Sequence, residues 1–411
     1  MLEQRSVRRE VIGTGENLLL QADGAGALPE LDALAGQVQC VYLDPPFMTG
    51  ERFVRRRRYG AEGWRTGDPA PAYEAYADTF ASREEYAAML TGLLRNAHRL
   101  LSPTGVMYLH LDWRANALAR LVCDEVFGEK QFLNEIIWAY ESGGRAKRYF
   151  SRKHDTILLY ARSRRYRFDL TRVPLQRETA RSNHMRRTVD EQGRACRTIR
   201  SGGKLYRYYD DAPTYPSDVW TDISHLQQRD PERTGYATQK PAKLLERLLR
   251  PVTRPGDWVC DLCCGSGTTL AAAQSLGCRF AGVDAQPEAV LIARNRVRAD
   301  SLTLIGDCCM EPALVDAAFD PATGMVLLTG FEASHPAFPA GGQAMDSLES
   351  WAAGRLRDGV FEAAHAFHRS HRHPELPPMC LLPPGPGQAA ISTVDAAGRR
   401  RVYCMTEEEK Q

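Results

Sequence analysis

Short apolar runs alternate with longer amphipathic stretches between residues 16 and 299. A short apolar run is typical of a buried strand, whereas apolar positions three or four residues apart indicate a helix. Strands are predicted at 16–23, 38–43, 105–109, 133–138, 155–160, 258–262 and 278–284, and helices at 83–101, 114–127, 241–250, 268–276 and 287–299. Buried strands that alternate with helices favour an α/β fold, doubly wound, with a mostly parallel sheet covered on both faces.

Two segments lack this pattern. Residues 163–232 belong to a basic stretch with little regular periodicity, so neither strands nor helices are predicted there. Beyond residue 300 the chain is rich in Pro, Gly and Ala, with the sequence Pro-Pro-Gly-Pro-Gly at 383–387. The sequence therefore predicts one α/β domain that carries an inserted region and a C-terminal extension.

The segment from Asp261 to Thr269 (DLCCGSGTT) joins a predicted strand, a Gly-rich turn and a predicted helix. Glycines let backbone amides approach a ligand closely, and the helix N-terminus adds a favourable dipole. Asp284 ends the next predicted strand, where a nucleoside-binding fold needs a carboxylate for ribose hydroxyls. A nucleoside site is predicted, and an ordinary tight turn is the alternative. A phosphate-binding loop is disfavoured because no Lys precedes Thr268.

A second motif, Asp44-Pro45-Pro46-Phe47, follows the predicted strand at 38–43. Ligands of α/β sheets bind at the carboxyl ends of the strands. Two successive prolines remove two N–H donors, so the corner presents a carboxylate and bare carbonyls, all of them acceptors. Such a corner suits an amino group, and Phe47 offers a flat face on which a base can stack. A structural turn capped by the Asp is the alternative.

Composition narrows the class of protein. The hydrophobic fraction of 43% is normal for a globular protein, and no apolar run is long enough to span a membrane. The charged first ten residues do not resemble a signal peptide. The eleven cysteines indicate reduced thiols rather than a disulfide framework, so we expect a cytoplasmic protein without a membrane partner.

Positive charge is concentrated rather than general. The net charge is only +2, but residues 145–207 contain 19 Lys and Arg against 5 Asp and Glu, an excess of 14. Such a segment can neutralise phosphates, with Tyr166, Phe168 and Tyr206 available for stacking, although a solvated charged face is the alternative. The candidate DNA-binding residues are Arg55, Arg56, Arg57, Arg58, Arg164, Arg165, Arg167, Arg186 and Arg187.

Several motifs together carry a family resemblance. Asp44 to Phe47 followed by Thr49-Gly50, then 235–241 (GYATQKP), then the Gly-rich loop resemble, in this order, the prokaryotic β-class amino-methylating DNA methyltransferases. The strands at 132–138 and 154–160 are also similar to that family. The chain departs from it at Cys263, where the family usually has Phe, and at Met48, where Asn is frequent. The Cys263 departure puts cofactor affinity in question.

The resemblance implies a function and an assignment of roles. S-adenosylmethionine would donate a methyl group to N6 of a flipped-out adenine in double-stranded DNA, with N4 of cytosine, or a catalytically silent DNA-binding protein, as alternatives. An Asp-led motif favours adenine in the family. The catalytic residues would be Asp44, Pro45, Pro46 and Phe47. The cofactor-binding residues would be Asp23, Thr238, Gln239, Lys240, Asp261, Cys263, Gly265, Ser266, Gly267, Thr268 and Asp284.

The resemblance also implies a domain division and partners. Residues 12–162 would form the catalytic half, 163–232 the target-recognition region, 233–300 the cofactor-binding half, and 301–411 an extension of unknown role. A cognate restriction endonuclease, a homodimer and association with the nucleoid are further expectations.

Two groups of potential metal ligands are interpreted otherwise. Cys260 and Cys263 form a C-x-x-C at the start of the Gly-rich loop, without a second pair at zinc-site spacing. His365, His368, His371 and His373 have the spacing of a helix face followed by a loop, and we interpret them as a surface patch. No metal site is expected.

Overall fold

The computed structural model describes ten stretches of the chain, and all structural statements below concern them: residues 2–55, 59–66, 73–141, 145–175, 185–227, 230–236, 238–297, 301–333, 345–370 and 372–405. The helices are α1 (Gly60–Thr66), α2 (Arg83–Leu100), α3 (Asn116–Phe127), α4 (Ala242–Leu249), α5 (Thr268–Ser275) and α6 (Pro287–Val297).

The strands in chain order are β1 (Leu2–Arg5), β2 (Arg9–Gly13), β3 (Asn17–Gln21), β4 (Val38–Leu43), β5 (Arg52–Arg55), β6 (Tyr73–Ala77), β7 (Leu101–Leu111), β8 (Phe132–Ala139), β9 (His154–Ala161), β10 (Arg186–Val189), β11 (Ala195–Ser201), β12 (Lys204–Tyr209), β13 (Val219–Trp220), β14 (Trp258–Asp261), β15 (Arg279–Asp284), β16 (Ser301–Ile305), β17 (Leu314–Asp320), β18 (Met325–Glu332), β19 (Leu348–Arg357), β20 (Val360–His368), β21 (Met379–Leu381), β22 (Gln388–Asp395) and β23 (Arg400–Met405).

The central part of the main sheet has the strand order β16-β3-β15-β14-β4-β7-β9-β8. Strands from β16 to β7 pair in parallel, whereas β9 runs antiparallel to β7 and β8. Helices α2 and α3 bury apolar side chains in a core on one face, and α4, α5 and α6 do so on the other. The predicted doubly wound α/β architecture is confirmed, and the parallel strands place their carboxyl ends along one edge.

Local sequence explains why these elements begin where they do. Ser82 caps α2 by accepting a hydrogen bond from the Glu85 amide, and Glu85 accepts one from the Ala81 amide in return. This reciprocal arrangement satisfies amides that the first turn leaves without partners. The same helix buries Tyr86, Leu90 and the apolar positions that follow at helical spacing.

The C-terminal residues extend this sheet rather than follow it as a separate appendage. Strand β16, the first after residue 300, lies between β2 and β3, and beyond β2 the order continues β20-β19-β22-β23-β1. The expectation of an extension that begins at 301 therefore differs from the structure at β16, which completes the catalytic sheet. Small residues in these strands, such as the Ala and Gly of β19, explain why their composition did not predict strands.

The helix spacing predicted for the His residues of this region was wrong, although His365 and His368 are exposed, as a surface patch requires. His365 and His368 lie in β20, a strand, and not on a helix face. His365 Nε2 lies 2.9 Å from the carbonyl oxygen of Leu381. His373 follows in a loop, and His371 lies outside the described residues.

The basic segment also contains strands that the sequence did not predict. Strands β10, β11 and β12 form a separate three-stranded antiparallel sheet, and the β11–β12 hairpin turns at Gly202 and Gly203, both at positive φ. Most side chains on both faces are exposed. Strands with both faces exposed show no regular alternation of apolar and polar residues, which explains why they were not predicted. No helix in the described part of the chain is long and apolar enough to cross a membrane.

Candidate active site

A cavity of about 270 Å³ lies at the carboxyl edge of the parallel strands, where β4, β14 and β15 end. It is lined by residues from both predicted motifs and from the loops around them. These are Asp23, Gly24, Tyr42, Asp44, Pro45, Pro46, Phe47, Phe53, Asp78, Met89, Leu93, Tyr236, Thr238, Gln239, Lys240, Leu245, Asp261, Leu262, Cys263, Cys264, Gly265, Ser266, Thr268, Thr269, Asp284, Ala285 and Gln286. Segments far apart in sequence thus meet around one space.

The two carboxylate oxygens of Asp44 have different environments. Oδ2 accepts a hydrogen bond of 2.5 Å from the ammonium of Lys240, whose side chain is only 8% exposed. Oδ1 is buried without a hydrogen-bond partner in the described residues. A buried acceptor without a donor is costly, so the site is suited to a ligand that supplies an N–H or O–H.

Asp78, which the sequence did not single out, holds the backbone of the Asp-Pro-Pro-Phe corner. Its carboxylate accepts hydrogen bonds from the amides of Phe47, Met48 and Thr49 at 3.1, 2.9 and 3.0 Å. The Thr49 hydroxyl donates a fourth, at 2.8 Å. The prolines remove two amides upstream, and Asp78 binds the next three, so the corner is rigid.

The Gly-rich loop has the strained backbone for which glycine is needed. Gly265 has φ +49°, and a Cβ there would lie 3.1 Å from the Tyr236 ring. Gly267, at φ +72°, packs against Ala293 of α6, where a Cβ would come within 2.9 Å. Gly267 does not line the cavity, so its contribution is to the loop conformation and to helix packing.

Asp284 supports the loop from the neighbouring strand. Its carboxylate oxygens accept hydrogen bonds from the amides of Gly265 and Gln286, each at 2.9 Å. Burial raises the pKa of Asp284, and the two amide hydrogen bonds oppose that shift. Each carboxylate oxygen can accept a further hydrogen bond, and Asp284 lines the cavity, as binding of a ribose diol would require.

Asp261 is the most perturbed carboxyl group of the cavity. Burial raises its pKa to about 7, hydrogen bonds from Thr269 and the Cys263 amide oppose the shift, and the charges of Asp44 and Asp284 add to it. An acid with a pKa near neutrality in a cleft is characteristic of functional sites. Asp23 and Asp78 also line the cavity, so the surface is strongly acidic and suited to a cationic ligand.

Residues 230–236 and 238–241 form a segment that lines one side of the cavity and is held by Arg296 of α6. Arg296 donates to Thr268 and to Glu232, each at 2.8 Å, and thereby joins the segment to the Gly-rich loop. The Gln239 side chain bonds to the Glu232 carbonyl and accepts from Thr234, so its amide group shapes the segment. Arg296 was not predicted, because its partners lie far away in sequence.

A hydrogen-bonded chain lies behind the catalytic corner. Tyr42 and His110 are joined at 2.9 Å, His110 and Asp155 at 3.1 Å, and Tyr140 donates to Asp155 at 2.9 Å. The His110 ring lies parallel to the Phe47 ring, with centroids 6.2 Å apart. Burial opposes the shift, but bonds from His110 and the charge of Lys240 lower the pKa of Asp155 to about 2.

The predicted DNA-binding residues do not share one location with the cavity. Arg164, Arg165, Arg186 and Arg187 are exposed, and Arg167 forms an ion pair with Asp257. Arg55 lies in β5, and Arg56, Arg57 and Arg58 lie outside the described residues. Every predicted catalytic and cofactor residue except Gly267 lines the cavity.

Comparison with known proteins gives a family match over more than half of the chain. The N6/N4 methyltransferase family, described as DNA methylase, matches residues 38–295. Type II methyltransferase M.BglII of Bacillus subtilis is 28% identical over 217 residues, 51% of this chain and 56% of the relative. DNA adenine methyltransferase YhdJ of Escherichia coli strain K12 is 24% identical over 274 residues, 66% of this chain and 80% of the relative. The chain thus spans just over half of the length of M.BglII.

Among solved structures, the cytosine-N4-specific PvuII DNA methyltransferase is 15% identical, with a TM-score of 0.45 over 69% of this chain and 87% of the other. The methylase TTHA0409 of Thermus thermophilus, complexed with S-adenosyl-L-methionine, is 21% identical, with a TM-score of 0.41 over 70% and 97%.

The fold is that of S-adenosylmethionine-dependent methyltransferases. The chain belongs to the N6/N4 DNA methyltransferase family. The cavity fits this cofactor, because the carboxylates of Asp23, Asp261 and Asp284 line it and suit cationic groups and ribose hydroxyls, and Gly265 leaves backbone room beside them.

Proposed function

We propose that this protein transfers a methyl group from S-adenosylmethionine to N6 of adenine in double-stranded DNA. The observation that carries the proposal is the buried Oδ1 of Asp44, an acceptor without a partner in the described residues, in the same cavity as the Gly-rich loop and Asp284. An acceptor at this place suits the N–H of an amine, and its neighbours suit a nucleoside cofactor.

The residues of the catalytic corner orient the target rather than activate it strongly. Asp44 Oδ1 and the Pro45 carbonyl would accept hydrogen bonds from the amine and aim its lone pair, and Phe47 would stack on the base. A base inside a duplex cannot reach the cavity and must be flipped out. The bound cofactor supplies an electrophilic methyl group on a sulfonium. Correct positioning for in-line attack accounts for a large part of such a rate.

The sheet β10–β12 supports a proposal for where the duplex is bound within 163–232. Strand alternation and register group Arg187, Ile199, Lys204, Tyr206 and Tyr208 on one face, here called the tyrosine face. Tyr206 and Tyr208 are 45% and 47% exposed. Cations beside exposed aromatic rings favour phosphates and bases, and the major groove admits a β-ribbon. Two cations outside this face already have partners within the protein. The Arg194 guanidinium lies over the Tyr209 ring, and Arg207 is hydrogen-bonded to Tyr209.

Nucleoside analysis of methylated DNA tests the proposal directly. Duplex DNA is incubated with the protein and S-adenosylmethionine carrying a labelled methyl group, then digested and analysed by mass spectrometry. We expect labelled N6-methyladenine from the native protein and none from Asp44→Ala, which should still bind cofactor because Asp44 faces the amine. Labelled N4-methylcytosine would contradict the assignment to adenine, and the absence of any labelled base would contradict the activity itself.

If the protein acts within a restriction-modification system, a cognate endonuclease would cut the same DNA sequence, and methylation should block it. A homodimer and association with the nucleoid are further proposals, which size-exclusion chromatography and imaging in cells would test. The role of the C-terminal strands in this scheme is to complete the sheet on which the cavity is built.

A further inference from the structure

The resemblance assigns Lys240 to the cofactor pocket, and in the structure its side chain also contacts the catalytic corner. Its ammonium donates to Asp44 Oδ2 at 2.5 Å and lies 5.2 Å from the centroid of the Phe47 ring. Its backbone carbonyl accepts a hydrogen bond from Thr268 in the first turn of α5. One residue therefore joins the cofactor loop, through its main chain, to the catalytic carboxylate, through its side chain.

The two oxygens of Asp44 have different tasks in this arrangement. With Lys240 bound to Oδ2, the carboxylate cannot rotate freely, and Oδ1 remains buried and without a donor in the described residues. Charge-assisted hydrogen bonds are short and directional, so the ammonium fixes the plane of the carboxylate. The remaining oxygen is the one that an incoming amine can use.

We propose that Lys240 is a positioning residue that holds the Asp44 carboxylate so that Oδ1 receives the target amine. This inference rests on the proposed function. Other charged groups lie near the pair: Asp261 of β14 lies in the field of Asp44, and Asp155 of β9 lies in the field of Lys240. Lys240 places a positive charge among these carboxylates.

The alternative is that Lys240 occupies the place of the amine and has to leave before the base binds. A competitor of this kind would slow the enzyme, whereas a positioning residue speeds it. The two roles therefore predict changes of opposite sign when the ammonium is removed, which makes a kinetic test decisive.

The test compares Lys240→Met and Lys240→Arg with Lys243→Met, a matched change at an exposed Lys three positions further along. With DNA and S-adenosylmethionine saturating, we expect Lys240→Met to lower kcat by about 10²-fold, the order expected when a reacting group is misplaced. Lys240→Arg should recover part of the loss because it restores the charge. Lys243→Met should match the native protein, and the cofactor dissociation constant should change less than about threefold in all three.

Several results would overturn the inference. Unchanged or faster turnover by Lys240→Met would mean that Lys240 is dispensable or a competitor, and a large loss of cofactor affinity would return it to the cofactor pocket. If Lys240→Met does not fold, the Arg variant decides, because turnover at the native rate or none at all would both contradict partial rescue. Asp44→Ala in the same series separates this inference from the proposed function. If Asp44→Ala is active, the proposed function is contradicted. If Asp44→Ala is inactive while Lys240→Met is fully active, only the role of Lys240 is contradicted.

Discussion

Met48 holds a backbone conformation that a side chain with a Cβ rarely adopts. Its φ is +58°, in the left-handed region, and its amide donates to Asp78. The four hydrogen bonds to Asp78 impose this conformation. Asn tolerates left-handed backbone, which explains why Asn is frequent at this position in the family that the chain resembles. Met at this position therefore stores strain in the catalytic corner.

Replacing Met48 with Asn or Gly should stabilise the protein. We expect about 0.5–1 kcal/mol from relief of the left-handed strain, reduced in both variants by the loss of the apolar contact that Met48 makes with the core. Urea unfolding midpoints measure the effect. Met310→Asn, at an exposed residue without positive φ, is the control and should show no gain. A loss of stability in both Met48 variants would contradict the strain argument.

Asp261 makes stability depend on pH in the sense opposite to that of most acids. Its folded pKa of about 7 lies above the ordinary value of 3.8, because burial disfavours the charged form. The contribution of Asp261 to the free energy of unfolding is therefore most favourable below pH 4, and it is lost as the pH rises from about 4 to about 7. Above pH 7 the full cost of the buried charge remains, at most about 4 kcal/mol for a shift of this size.

Asp261→Asn should remove that cost. We expect the variant to be more stable than the native protein at pH 8 by about 1–4 kcal/mol, and by less at pH 5.5. Cofactor binding should weaken, since a carboxylate facing the cofactor's cationic groups is lost. Thermal or urea unfolding at the two pH values measures the first effect, and calorimetry the second. A stability difference that does not grow with pH would show that Asp261 is not the titrating group.

At the scale of elements, the sheet β10–β12 offers two faces for a controlled comparison. Replacing Tyr206 and Tyr208 with Ala should weaken DNA binding by about 1–3 kcal/mol for each stacked base that is lost. Replacing Arg187 or Lys204 should lower the slope of log affinity against log salt by about one. Arg200→Ala, on the opposite face, is the matched control and should leave affinity nearly unchanged.

A binding titration at several salt concentrations gives both quantities. Equal losses from the two faces would show that the hairpin uses both sides, and no loss from either would place the DNA contacts elsewhere in the protein.

The sequence predicted those elements whose signals are local. The strand, Gly-rich turn and helix at 261–269 lie within nine residues, and the Asp-Pro-Pro-Phe corner lies within four, so their types followed from periodicity and composition. Asp78 and Arg296 act on residues about 30 positions away and more, and no local pattern marks them. The β10–β12 strands were missed because neither face is buried, and β16 because its neighbours in the sheet come from the start of the chain.

At the scale of the whole molecule, a buried ion cluster joins the N-terminal strands, the cofactor-binding half and the C-terminal strands. Glu10 in β2 is fully buried and pairs with Arg294 of α6 and Arg400 of β23 at 2.9 and 3.2 Å, and Ser392 donates to it. Burial alone would raise the pKa of Glu10, but the two guanidinium groups outweigh it and lower the pKa.

Glu10→Gln should destabilise the protein by about 3–5 kcal/mol at pH 7, because two buried guanidinium groups would lose their counter-charge. Glu3→Gln, which breaks an exposed pair with Arg5, is the control and should change the free energy of unfolding by less than about 1 kcal/mol. Because the pKa of Glu10 is lowered, Glu10 contributes to the free energy of unfolding at neutral pH. This contribution is lost as the pH falls through the lowered pKa. If the two substitutions lower the free energy of unfolding equally, the buried cluster does not stabilise the contact between these parts of the chain.

The position of β16 has a consequence for the order in which the chain acquires its structure during synthesis. β1, β2 and β3 leave the ribosome before the other strands, yet β16 separates β2 from β3 in the sheet, and Leu2 of β1 pairs with Met405 of β23. The N-terminal strands therefore cannot pair until strands made near the end of translation are available. Contacts between residues so distant in sequence form slowly. Nascent chains arrested at residue 300 should be cleaved by protease near β2, whereas chains extended and released beyond residue 405 should resist. Equal resistance of the two would show that the N-terminal strands fold without β16.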